Sequence, residues 1–205
     1  MKAFDQLQHV VDSLLGPEGC PWDKKQTLLS LRGYLLEEAH EVVDAIDLDA
    51  GDKIREELGD LFLIACLLCR VLEKEKNIAM VEVLETVVEK LVRRHPHVFG
   101  DKKVLGVEAI RGQWENIKDE ENDGERQEKP FEGIPRALPA LSKAQKVLKR
   151  LERMGVSKAS EESTFTSEEE VAETLWSVIA RAQASGFDAE LALNTMITEK
   201  MNHGD

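Results

Sequence analysis

Apolar residues recur at three- and four-residue intervals through most of this chain, the spacing of amphipathic α-helices. Phe4, Leu7, Val10, Val11, Leu14 and Leu15 predict a helix over Ala3 to Leu15, ended by Gly16-Pro17-Glu18-Gly19. Cys20 to Gln26 reads as a turn-rich loop carrying Trp22. Thr27 is placed to cap a second helix reaching about Ile46, whose apolar face is Leu28, Leu31, Leu35, Ala39, Val42, Val43 and Ile46. A third helix, about Asp52 to Glu75, begins charged and becomes apolar nearly all round from Leu61 to Leu72. Such a segment needs cover on most sides, from a bundle or a second subunit. A fourth helix, about Ala79 to Arg94, directs Val83, Leu84, Val87, Val88 and Leu91 inward and stops at His95-Pro96, where proline forbids continuation. After a loop from Val98 to Gly106, a fifth helix holds Val107, Ile110, Trp114 and Ile117.

The stretch Lys118 to Lys129 is charged and carries Gly124, which makes it the best linker. Beyond it Leu138 to Met154 is amphipathic and Gly155 supplies a stop. A polar segment, Ser157 to Ser167, precedes two last helices, about Glu168 to Ala184 and Asp188 to Met201. No segment alternates with period two, so the fold expected is all-α: a domain over 1–121, a linker over 122–133 and a smaller helical domain over 134–205. The second domain echoes the first. Glu170-Val-Ala-Glu173 resembles Glu57-Leu-Gly-Asp60, and Glu199-Lys200-Met201 resembles Glu89-Lys90-Leu91, with no counterpart of Glu37 to Glu41.

Charge narrows the function classes. A formal net charge of -13 over 205 residues opposes nonspecific binding to nucleic acid or an anionic membrane, while local cations can still hold one phosphate ligand. The run Leu61 to Leu72 is interrupted by Arg70 and falls short of the ~20 residues that span a bilayer. An odd count of three cysteines and a start without a charged-then-apolar leader predict reduced thiols and a cytoplasmic protein.

The candidate chemistry lies about the second turn. Glu41 precedes Asp49 by as many residues as Glu57 follows it, and Glu38 matches Asp60 in the same way. In an antiparallel helix hairpin equal counts mean equal depth, so four carboxylates share one level. Crowded carboxylates resist ionisation unless a cation sits among them. Oxygen-only ligation favours Mg²⁺, with Mn²⁺ as substitute. Two other metal patterns compete: Glu37-x-x-His40 has di-iron spacing but lacks a second such helix, and Cys66, Cys69, His95 and His97 form a nominal zinc set whose cysteines lie in an apolar run. Lys90 and Arg94 sit one turn apart at a basic helix end, and Trp114 and Lys118 repeat that spacing. Lys53 lies one turn before Glu57, within reach of it or of a phosphate. No G-x-x-x-x-G-K phosphate loop is present.

These residues resemble the all-α MazG-type nucleoside triphosphate pyrophosphohydrolases. The likeness runs from Phe4 to about Lys118 through Gly19-Cys-Pro-Trp-Asp23, Glu37-Glu38-x-x-Glu41, Glu57-x-x-Asp60, Lys90-Leu-Val-Arg-Arg-His-Pro-His-Val-Phe99 and Trp114-x-x-x-Lys118, and continues through Ile134 to Lys146. It implies Mg²⁺-dependent cleavage between the α and β phosphates of a nucleoside triphosphate, giving monophosphate and pyrophosphate. It further implies Glu38, Glu41, Glu57 and Asp60 as metal ligands, Glu37 as the group that orients or deprotonates water, and Lys53, Lys90, Arg94, Trp114 and Lys118 as the nucleotide-holding residues. A homodimer with interlocking helices is implied as well. The second half departs from the family's two-domain members, with Glu173 where Asp is expected and no first acidic helix, so catalysis is expected from the N-terminal half. The opposing expectation is a helical scaffold that binds a nucleotide or protein without turnover.

Overall fold

A computed structural model describes residues 2–101, 106–121, 131–155 and 164–203. The described residues are helical with turns and contain no strand, so the chain is all-α as its periodicity predicts. It divides into two compact units, Met1–Gly106 and Val107–Asp205. The boundary therefore falls before the helix that carries Trp114, whereas the sequence places a linker at 122–133, of which 122–130 lie outside the described residues.

In the first unit, α1 (Lys2–Leu15) is followed by a 3-10 turn (Asp23–Lys25), α2 (Leu28–Asp47), α3 (Gly51–Lys76), α4 (Met80–Arg94) and one further turn of helix, α5 (Pro96–Phe99). The helix starts are written in local chemistry. Thr27 Oγ1 accepts from Ser30 N at 3.1 Å while Ser30 Oγ accepts from Thr27 N at 2.9 Å, a reciprocal cap that fixes where α2 begins. Asn77 ends α3 in the left-handed region at φ 57°, and Glu82 Oε1 then accepts from Ala79 N at 2.7 Å to start α4. Pro96 ends α4 as expected but also begins α5, because proline suits a helix's first position.

The core of this unit is Val11, Leu31, Ile64, Cys66, Leu67, Val71 and Met80, flanked by Leu7, Leu15, Leu28, Leu35, Leu63, Leu68 and Cys69. The α2–α3 hairpin is its spine, and α1 crosses α3. Its far end is tied by Glu75 Oε1, which accepts from Leu28 N at 3.3 Å. Two expectations need correction. On α2, Val43 and Ile46 face outward, and Leu31, Val42 and Ala45 are the buried set. On α4, Leu84, Val87, Val88 and Leu91 are exposed rather than inward, because α4 leaves α3 with little of its apolar stripe covered. Periodicity identifies an apolar face but not what covers it.

The second unit contains α6 (Val107–Glu120), α7 (Ala140–Arg153), α8 (Glu168–Ala184) and α9 (Ala189–His203). Its core is Phe131, Ile134, Ala140, Val147, Leu151 and Ile197. Gly155 follows α7 at φ 72°, a conformation that suits glycine as a helix stop. A buried polar chain joins α7 to α9. Lys143, 7% exposed, donates to Arg136 O at 2.8 Å and Asn194 Oδ1 at 2.5 Å, while Glu190 Oε1 accepts from Ala140 N at 2.6 Å. Most of the polar segment expected at Ser157 to Ser167, namely residues 157–163, lies outside the described residues.

Candidate functional site

Leu48, Asp49 and Ala50 connect α2 to α3, with Asp49 in the left-handed region at φ 50°. Ala50 N bonds Ala45 O at 3.1 Å and Asp49 N bonds Ile46 O at 3.0 Å, so the reversal is tight. It sets the register in which Glu38 and Glu41 on α2 meet Glu57 on α3. One carboxylate oxygen from each of these three lies within 4.8 Å of the other two. Among the described residues this group contains no histidine or cysteine. Cys66 is 3% exposed within the hydrophobic core and Cys69 packs against it, with burial raising both thiols. They pack the core, and among the described residues no metal-ligand group joins them to His95 and His97.

The electrostatics follow the register. Burial raises the Glu38 carboxyl above the ordinary glutamate range, and Asp60 is the strongest of the charges that add to the effect, ahead of Glu41, Glu57 and Glu37. Glu41 is raised chiefly by Glu57, then by loss of solvent and by Glu37. Glu57 is the most buried of the set at 4% exposure, and its Oε1 lies 2.8 Å from Lys53 Nζ. The hydrogen bond and charge of Glu57 raise the Lys53 ammonium in turn. Glu38 Oε2 is buried and has no hydrogen-bond partner. A carboxylate oxygen withdrawn from water without a donor is costly unless a cation compensates it. Three oxygen ligands from an antiparallel helix pair, with one oxygen lacking a donor, fit a hard divalent ion.

Not every candidate joins this cluster. Glu37 is exposed on α2 and acts on Glu38 and Glu41 through its charge, while Asp60 is exposed on α3 beside Glu38. Lys90 and Arg94 are half-buried on α4. Trp114 and Lys118 lie on α6 in the other unit, where Lys118 Nζ is 5.1 Å from the Trp114 ring centroid, a cation–π contact. The echo in the second half is put to other use. Glu170 Oε2 accepts from Thr166 N at 2.9 Å and Thr166 Oγ1 at 3.0 Å, which lowers its carboxyl, while Ser167 Oγ accepts from Glu170 N at 3.2 Å. Glu170 thus works as a capping residue at the start of α8.

One element was not singled out as a pair in the sequence. Trp22 and Tyr34 meet edge to face with ring centroids 5.8 Å apart. The available signal was helical spacing, since Tyr34 precedes Glu38 by one turn.

Residues 26–99 match the MazG nucleotide pyrophosphohydrolase domain. The chain is 35% identical to a nucleoside triphosphate pyrophosphohydrolase of Escherichia coli strain K12, over 94% of this chain and 82% of that protein. It is 32% identical to the nucleoside triphosphate pyrophosphohydrolase/pyrophosphatase MazG of Thermotoga maritima, over 93% of this chain and 79% of the relative. The crystal structure of a mazG-related protein from Thermotoga maritima superimposes with a TM-score of 0.51 at 28% identity, covering 56% of this chain and 98% of that one. Sequence likeness across nearly the whole chain, and a helical fold shared with a mazG-related structure, make this protein a member of the MazG family of nucleotide pyrophosphohydrolases.

Proposed function

We propose that the protein hydrolyses nucleoside triphosphates at the α–β phosphoanhydride bond, releasing nucleoside monophosphate and pyrophosphate, in a Mg²⁺-dependent reaction that Mn²⁺ can also support. The observation that carries this reading is the Glu38–Glu41–Glu57 cluster with an unpartnered carboxylate oxygen. Glu38, Glu41, Glu57 and Asp60 would hold the ion. It would neutralise phosphate oxygens and the charge that develops as the bond breaks. Glu37, exposed beside the cluster, is assigned to orient the attacking water and accept its proton. Lys53, Lys90, Arg94, Trp114 and Lys118 are assigned to hold the nucleotide. Removal of unwanted triphosphates from the cytoplasmic nucleotide pool is the role this chemistry suits. No described helix is long and apolar enough to cross a membrane.

A homodimer belongs to the same proposal. Phe62, Leu84, Val88 and Leu91 are 56%, 43%, 55% and 47% exposed in the single chain, an apolar surface that a second copy would cover. The C-terminal unit is assigned a structural or regulatory part, since Glu170 is engaged in a helix cap.

The test is a panel of canonical and modified triphosphates incubated with Mg²⁺, with the nucleotide products resolved by anion exchange. Monophosphate and pyrophosphate in equal amounts, without a diphosphate intermediate, support the reading. Stepwise diphosphate then monophosphate places the cut elsewhere. Mg²⁺-dependent binding without product would mean a nucleotide-binding scaffold.

A further inference from the structure

From the arrangement of Trp22, Tyr34 and Glu38 we infer that Trp22, backed by Tyr34, is the platform on which the nucleobase stacks, an inference that rests on the nucleotide reading of the carboxylate cluster. On α2, Tyr34 precedes Glu38 by four residues and Glu41 by seven. These offsets rotate the side chains by only about 40° and 20°, at rises of ~6 Å and ~10 Å. Tyr34 therefore lies on the helix face that carries the two carboxylates, one turn farther from the α2–α3 reversal. Trp22 meets its ring edge to face and remains 55% exposed. A ligand whose phosphates meet an ion held by Glu38 and Glu41 would extend its ribose and base toward this aromatic pair.

The loop that presents Trp22 is held on every side. Trp22 O accepts from Lys25 N at 3.1 Å and Gln26 Nε2 at 3.3 Å. Gln26 Oε1 accepts from Ser30 Oγ at 2.6 Å, inside the α2 cap, and Lys24 Nζ donates to Pro17 O at 2.8 Å. A Cβ at Gly19 would collide with the carbonyls of Ser13 and Leu14, so glycine permits the close approach of this loop to the end of α1. Asp23 and Gln26 are buried while the indole between these anchors and solvent is not. An exposed indole on a pinned loop loses little conformational freedom when a flat ring covers it. Stacking is tolerant of base identity, so this platform selects nucleosides over bare phosphate chains.

The full-length protein, in Mg²⁺, is titrated with an α,β-methylene nucleoside triphosphate and with inorganic triphosphate. Wild type is expected to bind the nucleotide on the order of 10-fold tighter than inorganic triphosphate. Trp22→Ala is expected to remove most of that advantage without altering the inorganic ligand, and Trp22→Phe to retain part of it. The nucleotide, but not inorganic triphosphate, should quench a fluorescence component that is missing in Trp22→Phe. If both ligands bind and Trp22→Ala leaves their ratio unchanged, the platform is wrong and the carboxylate site stands. If wild type binds neither, both readings fail.

Discussion

Lys53 Nζ reaches from an exposed position to within 2.8 Å of Oε1 of the buried Glu57, the single short ion pair among the described residues of the acidic cluster. Lys53 offsets part of the repulsion that Glu57 and Glu41 exert on each other. Lys53→Met is therefore expected to lower the unfolding midpoint of the metal-free protein and to reduce catalytic efficiency roughly 10-fold through lost phosphate contact. Urea unfolding in EDTA, and steady-state kinetics at saturating Mg²⁺, check the two effects separately. An unchanged midpoint with normal kinetics would remove Lys53 from the site.

Glu38→Gln is expected to firm the metal-free fold and to depress turnover by roughly 100-fold or more. The amide keeps the shape of the side chain while removing a charge that burial, Asp60, Glu41, Glu57 and Glu37 all oppose. Differential scanning calorimetry with EDTA, alongside product formation at millimolar Mg²⁺, tests both halves. Wild-type turnover would show that Glu38 is not a ligand.

Acidification should act in opposite directions on the metal-free and metal-loaded protein. Glu38 and Glu41 both have carboxyls raised by the fold. Their favourable contribution is fully present below the unfolded glutamate range and is lost as pH rises through their elevated folded values. In EDTA, then, these groups raise stability as pH falls through their elevated folded values toward the ordinary glutamate range. Proton competition weakens metal binding over the same interval, so the Mg²⁺-induced gain in thermal midpoint shrinks. A gain independent of pH across this window would contradict the ligand assignment.

The double change Glu170→Ala and Glu173→Ala is expected to leave the rate of hydrolysis per chain near wild type at saturating Mg²⁺. What it should disturb is the start of α8, where Glu170 Oε2 accepts from both the amide and the hydroxyl of Thr166. Increased amide exchange confined to the first turn of α8 is the expected signature. Loss of hydrolysis with the oligomeric state intact would bring the second half into the active site.

Lys143→Met should destabilise the C-terminal unit by about 2 kcal/mol, because it removes two charge-assisted hydrogen bonds and leaves Arg136 O and Asn194 Oδ1 short of a donor. Chemical denaturation followed by helical circular dichroism measures the change. A loss below about 0.5 kcal/mol would mean that the buried ammonium is dispensable.

How far the sequence could be read depended on whether a feature was local. Thr27, Pro96 and Gly155 mark helix ends through caps, a missing amide and a left-handed turn, all decided within a few residues, and the helices begin or end where they direct. The meeting of Glu41 with Glu57 was legible because a short reversal converts counting into depth. Features set by neighbours were not. Leu84 and Val88 carry the right period yet stay exposed, since periodicity does not say which surface comes to meet them. Glu170 has the spacing of Glu57, but Thr166 and Ser167 beside it turn the same spacing into a cap. The edge-to-face contact of Trp22 with Tyr34 depended on a loop path that no periodicity encodes.

The left-handed residue at the α2–α3 reversal carries a consequence for how this hairpin tolerates change. Asp49, at φ 50°, belongs to a connection whose length acts as a gauge between the two helices. Adding one residue to α3 after the reversal would rotate everything beyond it by about 100° and advance it ~1.5 Å, swinging Glu57 away from Glu41 while every carboxylate remained in the sequence. Replacing Asp49 with glycine keeps the gauge, whereas a β-branched residue there strains it. Variation in this hairpin is therefore freer in the identity of its turn residues than in their number, and a single insertion is a more damaging lesion than most substitutions.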